Sequence, residues 1–285
     1  MSEQSTVSSG TLVRSRRRGS TEGQAGRRVN IFAWLILILG IVYFFLPLFA
    51  TFEFSLRMVK DRYTFEAYRV AFSDPEFFRN FGYSMLWAIL TIVISSLLVV
   101  PTAYWVHWRL PRIRPVVEFI TLMPFVVPAV VLTFGLIRLY GSPPLTLTGT
   151  PIPLVAGYVV LSLPYMFRAV DTGLRSIDVR TLTEAALSMG AGWGTILFQV
   201  IFPNLRVALL SGVFLTFAIV LGEFTFAALL AWPAFGPYIE QIGSMRAYTP
   251  QAVVMFSFLL TWASIGILQW LGRGVPGQEQ VAGAH

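Results

Sequence analysis

The chain has no cysteine, only two histidines and very little charge. Charged residues make up 12% of its 285 positions, about half the fraction found in an average soluble protein. Without cysteine, neither a disulfide framework nor a thiolate metal site is possible. His107 and His285 lie too far apart in sequence to suggest a metal pair. The sequence therefore shows no metal site, and it lacks a set of nucleophile and base that would indicate an enzyme.

Apolar residues are what the chain has in excess, at 55% of the total. They are concentrated in six stretches after residue 30, namely 31–52, 83–106, 116–140, 152–167, 207–232 and 253–271. Most approach the ~20 residues with which a helix crosses a bilayer. The sequence predicts an all-α integral membrane protein with six transmembrane helices, of which the fourth, with Pro153 and Pro164, is the shortest.

The polar segments divide the chain into three parts. Residues 1–30 are rich in Ser, Gly and Arg and are predicted to be a disordered, basic cytoplasmic tail. Residues 31–273 form the transmembrane domain, and 274–285 form a second cytoplasmic tail. The first apolar stretch exceeds the ~7–15 residues of a cleaved signal core, which favours a retained helix.

Basic residues predict the orientation. The chain has one lysine, Lys60, and twenty arginines, and most of them flank apolar stretches. With the N-terminus inside, fourteen of these residues lie on inner segments and seven on outer ones. The positive-inside rule then places both termini in the cytoplasm. The same distribution favours insertion in a lipid bilayer over nucleic-acid binding.

An inner loop at 168–206 and an outer loop at 53–82 are the longest connections. In the inner loop, Thr181 and Glu184 have the spacing of a capping box, which predicts a helix starting at Leu182. Gly190 is a natural stop for it. Four apolar residues form one stripe on this short helix: Leu182, Ala185, Ala186 and Met189. The stripe needs a surface to pack against, and either the protein's own inner face or a partner satisfies it. In the outer loop, Asp74-Pro75-Glu76 predicts a helix cap and first turn.

The inner loop resembles the EAA motif of ATP-binding-cassette (ABC) importer permeases. The family pattern is Glu-Ala-Ala, three residues, Gly, nine residues and Ile-x-Leu-Pro. This chain has Glu184-Ala185-Ala186, Gly190 and Val200-Ile201-Phe202-Pro203, so Val200 and Phe202 are the departures. The resemblance implies the type I importer permease fold in a bacterial or archaeal plasma membrane. It assigns contact with an ATPase to six positions: Glu184, Ala185, Ala186, Met189, Gly190 and Pro203.

The resemblance also implies partners. They are an ATP-binding subunit, a second permease subunit (identical or homologous) and an extracytoplasmic substrate-binding protein; no cofactor is implied. The glycine-rich run at 190–194 lacks the Lys-Ser or Lys-Thr of a phosphate loop, so ATP hydrolysis is assigned to the partner. Segments 65–80 and 84–103 resemble binding-protein-dependent permeases, and the outer loop and the fifth apolar stretch most resemble the polyamine, phosphonate and ferric-iron branch. The predicted substrate is a polyamine or similar small polar solute, with sulfate, molybdate, iron, phosphonate or sugar open. A secondary transporter or channel is the alternative class.

Glu223 is an acid within the fifth apolar stretch. Such a residue costs ~2.5–3.5 kcal/mol near the bilayer centre, so it is expected to face the interior of the helix bundle. Glu223 either lines the substrate pathway, as acidic residues within membranes usually do, or is a hydrogen-bonded carboxylate that joins helices. Pro124, Pro128 and Gly222 are expected to break their helices locally, and such kinks either frame a cavity or belong to ordinary membrane-helix packing, where proline and glycine are common.

Overall fold

The computed structural model describes residues 31–60 and 62–272, whose regular elements are helices. By internal contacts the chain divides into two units, Met1–Pro47 and Leu48–His285. The predicted tails, 1–30 and 274–285, lie outside the described residues. In the first unit, the side chains from Phe32 to Pro47 are exposed along one continuous helix.

Twelve α-helices are described in these residues. They are α1 Ile31–Leu56, α2 Glu66–Phe72, α3 Pro75–Trp108, α4 Arg114–Leu122, α5 Ala129–Tyr140, α6 Ile152–Arg175, α7 Val179–Ser188, α8 Trp193–Thr195, α9 Phe202–Gly222, α10 Thr225–Leu229, α11 Phe235–Met245 and α12 Thr249–Gly272. Short 3₁₀ turns at Pro111–Ile113 and Met123–Phe125 flank α4, and a π turn, Ile196–Ile201, joins α8 to α9.

Four helical stretches are long and apolar enough to cross a bilayer: α1, α3, α6 and the run Trp193–Gly222. A fifth candidate is the bent pair Pro111–Phe125 and Ala129–Tyr140. The all-helical membrane fold is therefore confirmed with four or five candidate spans. Helix α12 occupies the sixth apolar stretch, but a count of six spans stays a prediction.

The third apolar stretch is not one straight helix. Its two halves meet at 97°, with Pro124 in the 3₁₀ turn and Pro128 extended (ψ 139°) just before α5. Proline lacks the N–H that continues a helix and restricts the residue before it, so two prolines four residues apart break the helix. The expected kinks are confirmed, a single straight helix over 116–140 is wrong, and a third span made of the bent pair stays a prediction.

The fourth apolar stretch forms a longer helix than predicted. Helix α6 continues for eight residues past Phe167, to Arg175, and tolerates Pro164 in its interior. The added residues include Asp171 and Arg175, which pair one turn apart, and Val170 and Leu174, which are buried. The inner loop therefore begins at Ser176 rather than at 168.

The outer loop is anchored by the cap that its sequence predicts. The carboxylate of Asp74 accepts a hydrogen bond of 3.0 Å from the backbone N–H of Glu76, and Pro75 is the first residue of α3. The other carboxylate oxygen accepts from the Tyr238 hydroxyl of α11 at 3.3 Å. Burial and the nearby Asp74 carboxylate raise the pKa of Tyr238 to about 12, so this phenol is a donor throughout the physiological pH range.

Helices α3, α6 and α9 pack together as the centre of the second unit. Glycines on α6 and α9 permit the close approach. A Cβ at Gly173 would lie 2.6 Å from the Cβ of Ala208, and one at Gly212 would lie 2.8 Å from the Met166 sulfur. A Cβ at Gly157 would overlap the ring of Phe226, which is fully buried. The close packing of these helices therefore depends on glycine, which has no side chain, at these three positions.

Gly157→Ala is expected to destabilise the protein by about 1–3 kcal/mol, because the methyl group overpacks against Phe226. The matched control is Gly82→Ala in α3, where no atom lies within 4 Å of the added Cβ. Alanine favours a helix over glycine, so the control is expected to be neutral or stabilising. Thermal unfolding of the detergent-solubilised variants measures both, and equal midpoints would contradict this packing.

Candidate functional site: the inner loop and helix α7

Helix α7 is the central element of the inner loop, and it begins three residues earlier than predicted. Asp178 is its N-cap, and the carboxylate accepts hydrogen bonds from the backbone N–H (3.0 Å) and the hydroxyl (2.7 Å) of Thr181. The predicted capping box of Thr181 and Glu184 is therefore wrong, since an equally good cap residue precedes it. These two hydrogen bonds hold the pKa of the Asp178 carboxyl below its ordinary value. The bond from the Thr181 hydroxyl has the larger effect, and the bond from the Thr181 N–H has the smaller one.

Gly190 ends α7 as predicted. Its φ of +79° is in the left-handed region, which glycine adopts without the penalty that other residues carry. The N–H of Gly190 donates to the carbonyl of Leu187 (2.9 Å), and the N–H of Ala191 donates to that of Ala186 (3.0 Å). Both bonds define a Schellman motif. The chain therefore reverses sharply at a fixed position after α7.

The two sides of α7 differ in what they contact. Val179, Thr183 and Ala186 are buried against the protein itself, whereas Glu184, Ala185 and Met189 are exposed, with Met189 at 81%. The predicted apolar stripe is thus divided, because Ala186 faces the core while Ala185 and Met189 do not. Both packing possibilities left open by the sequence are compatible with this arrangement, one on each side of the helix.

Two further features of the motif concern Glu184 and Pro203. Glu184 accepts a hydrogen bond of 2.7 Å from Arg180, and both side chains are mostly exposed. Pairs of this kind contribute little stability, so Glu184 is accessible to another charged group. Pro203 lies in the first turn of α9, beyond the π turn, and is exposed.

A buried hydrogen bond attaches α7 to α3. The hydroxyls of Tyr104 and Thr183 are 3.1 Å apart, and both side chains are buried. Thr183 donates its own hydroxyl proton to the carbonyl of Val179 at 2.6 Å. A hydroxyl has one proton to donate, so Tyr104 is the donor to Thr183.

An ion cluster around Asp171 ties three more segments together at the same end of these helices. The buried carboxylate of Asp171 in α6 accepts two hydrogen bonds from Arg114 of α4 (3.0 and 2.9 Å) and one from Arg175 (2.9 Å). Nε2 of His107, in α3, lies 3.4 Å from it. Sequence reasoning missed this cluster, since only the spacing of Asp171 and Arg175 signals a pair and Arg114 is 57 residues away.

Glu223 lies where the fifth apolar stretch breaks. Helix α9 ends at Gly222 and Glu223 is extended (ψ 129°), so a continuous span to residue 232 is wrong and the predicted break at Gly222 is confirmed. The carboxylate accepts the backbone N–H groups of Thr225 (2.8 Å) and Phe226 (2.9 Å). It thereby pairs amides that the break leaves free. A role for Glu223 in the substrate pathway stays a prediction.

A candidate metal site is not among these features. Within residues 31–60 and 62–272, no three His, Asp or Glu side chains are grouped closely enough to hold a metal ion. The inner loop instead offers a helix fixed on one side and exposed on the other.

The sequence profile of one protein family matches residues 99–275, more than half of the chain and all of the inner loop. The family is described as the inner membrane component of binding-protein-dependent transport systems. The chain belongs to this family. The permease is an inner membrane component of a binding-protein-dependent transport system. The identification as an ABC permease made from the EAA motif is thus confirmed.

Similar proteins carry several substrate names. A putative ferric transport permease of Haemophilus influenzae is 38% identical over 101 residues, 35% of this chain and 16% of that protein. The spermidine/putrescine permease of the same organism is 26% identical over 70% of this chain and 75% of its own length. The Escherichia coli molybdenum permease is 29% identical over 65% of this chain and 92% of its own. The permease thus spans only a small part of the ferric relative.

Solved structures show the same fold. A bacterial ABC transporter that imports alginate has a chain with a TM-score of 0.65 and 13% identity, covering 87% of this permease and 97% of that chain. The methionine ABC transporter MetNI gives a TM-score of 0.52 and 19% identity over 68% of the permease and 91% of that chain. At these identities the likeness concerns the fold alone.

Asp178→Ala is expected to increase hydrogen exchange of the first α7 amides, because it removes the acceptor for the Thr181 N–H. Asp178→Asn is the matched control, since asparagine caps equally well. The lowered pKa means that the ionised cap is fully formed above the unfolded value of ~3.9 and is lost as the pH falls through the folded value. Mass-spectrometric exchange at neutral pH tests this assignment, and equal exchange in the two variants would refute it.

Proposed function

We propose that this permease forms half of the substrate pathway of an ATP-driven importer and takes its energy from an ATPase through the exposed side of α7. The observation that supports this proposal is the division of α7 into a side buried on the protein and a side that presents Glu184, Ala185 and Met189. Because α7 is packed against its own chain on one side, a partner that displaces its exposed side also displaces the helices behind it. A cap at Asp178 and a Schellman motif at Gly190 fix both of its ends.

The proposed topology has six spans and both termini in the cytoplasm. Helix α12 supplies the sixth span, and the bent pair around Pro124 and Pro128 supplies the third. The excess of basic residues on the segments that flank α7 supports a cytoplasmic location for this helix. With that orientation the outer groove described below faces the substrate-binding protein.

The proposed assembly contains a second permease subunit, identical or homologous, within a lipid bilayer. Large apolar side chains are exposed along α1, α3 and α5, among them Leu39, Leu97 and Phe134. Exposed apolar surface of this extent is unfavourable in water. It is accounted for by lipid together with the subunit that completes the pathway.

Ala185→Arg is expected to prevent co-purification of the ATP-binding subunit, because a long cation replaces a methyl group on the exposed side of α7. Ala247→Arg is the matched control, an exposed alanine between α11 and α12. Both variants are expected to unfold at the wild-type temperature. Affinity purification of the tagged permease with its ATPase measures the contact, and wild-type recovery with Ala185→Arg would rule out α7 as the docking helix.

A polar groove marks the proposed docking side for the substrate-binding protein. It has a volume of about 490 Å³ and is lined by Glu66, Arg69, Val70, Ser73, Asp74, Pro75 and Arg246. Apart from Arg246, which lies at the end of α11, these residues belong to the outer loop at 53–82. Arg69 has only a long contact to Glu66, at 3.9 Å, so its guanidinium is available to an acidic group on the binding protein.

The proposed substrate is a small polar solute, with a polyamine as the first candidate. The names of similar permeases, which include ferric, molybdenum and spermidine/putrescine systems, support the broad class and do not distinguish its members. In such systems an external binding protein largely selects the solute, so a solute screen of that binding protein identifies the compound.

Arg69→Ala combined with Arg246→Ala is expected to lower the apparent affinity of the reconstituted complex for its loaded binding protein by about tenfold, if each cation contributes a rim contact of up to ~1 kcal/mol. Arg138→Ala, a basic residue at the end of α5 outside this groove, is the control. The readout is ATPase activity titrated with the binding protein, which is first screened for its solute. An unchanged midpoint would exclude the groove as the docking surface.

A further inference from the structure

The inner end of the permease contains a connection between α7 and the neighbouring helices that the EAA motif does not include. Val179 and Ala186 of α7 belong to an apolar cluster with residues of α3, α6 and α9. Apolar contacts of this kind hold the helix in place but are non-directional, so they do not fix the position of any one atom. The Tyr104–Thr183 bond is different, since it fixes one atom of α7 against one atom of α3.

That bond is the only side-chain hydrogen bond from α7 to another helix in the part of the chain that the structure describes. Its two hydroxyls are shielded from water, with Tyr104 4% exposed and Thr183 fully buried. If α7 moved away, the Tyr104 proton would lose its acceptor in an apolar cluster. A buried group that is left unpaired in this way shifts an equilibrium by about tenfold or more.

One turn after Tyr104, α3 is itself connected to its neighbours. His107, three residues later and on the same side of the helix, lies against Asp171, which holds Arg114 and Arg175. Asp171 thereby pairs the inner ends of α4 and α6 by charge, and α3 contacts this pair through His107, whose Nε2 makes no hydrogen bond. Breaking the buried charge pair is costly, so α4 and α6 are held together, with α3 packed against them.

The geometry assigns Tyr104 as the positioning residue that couples α7 to α3, so that α3, together with α4 and α6, follows α7 when the ATPase moves it. This inference rests on the proposed function. Tyr104 itself is buried and does not contact the partner. It acts through Thr183, and its role is in the transmission of motion rather than in docking.

The test compares three variants: Tyr104→Phe, Thr183→Val and the double variant. Each substitution keeps the approximate shape of its side chain and removes one hydroxyl, so the double variant removes both. Thr183→Val is expected to lower the unfolding temperature, because it leaves the Tyr104 hydroxyl unpaired, whereas the double variant is expected to regain stability with two apolar partners. All three are expected to keep the ATPase bound and its basal activity, and to transport about tenfold less solute per ATP hydrolysed.

The decisive comparison is between stability and coupling in the double variant. If the hydroxyl pair only stabilises the fold, transport per ATP recovers together with the unfolding temperature, and the inference is overturned. Ser162→Ala is the control, because it removes a buried hydroxyl that bonds only within its own helix, to Val159 at 2.8 Å. Its transport per ATP is expected to equal that of the wild type.

A distance measurement provides a second readout. The chain has no cysteine, so spin labels can be attached at Ser188→Cys on α7 and Arg109→Cys at the end of α3. The distance between them is expected to be the same with and without ATP in the wild-type complex and to change with ATP in Tyr104→Phe. An unchanged distance in that variant would overturn the inference. A wild-type complex without ATP-dependent transport would instead refute the proposed function.

Discussion

The burial of Val179, Thr183 and Ala186 against α3, α6 and α9 is the contact on which the inner side of the permease depends. Because this side of α7 is occupied, the side chains it leaves exposed are determined, and they include Glu184, Ala185 and Met189. The cap at Asp178 and the turn at Gly190 then fix where the helix starts and stops. A surface suited to a partner thus results from how the helix is held by its own chain.

Backbone breaks within apolar stretches form the second constraint. In a bilayer, each N–H and C=O released by a break needs a partner within the protein. At the end of α9 the carboxylate of Glu223 accepts two of these N–H groups. Pro124 and Pro128 have no backbone N–H, so their nitrogen atoms need no hydrogen-bond acceptor. The chain therefore changes direction twice in apolar surroundings at limited cost.

The sequence predicted the helical membrane class and the position of the inner loop because these depend on composition and local spacing. The stop at Gly190 and the cap at Asp74 were predictable for the same reason, since each is decided within a few residues. The start of α7 was wrong because two adequate caps, Asp178 and Thr181, stand three residues apart. Which side of α7 is buried, and the cluster of Asp171 with Arg114 and His107, depend on segments distant in sequence, and no local pattern encodes them.

The central claim is that the exposed side of α7 meets the ATPase in the cytoplasm. Since the chain has no cysteine, Met189→Cys provides a single thiol on that side, at a position that is 81% exposed. A thiol-specific photo-cross-linker attached there tests the claim in membranes that contain the whole transporter. The account predicts a cross-link to the ATP-binding subunit, with a yield that changes with bound nucleotide. Labelling of this cysteine by a membrane-impermeant reagent added outside intact cells would contradict it.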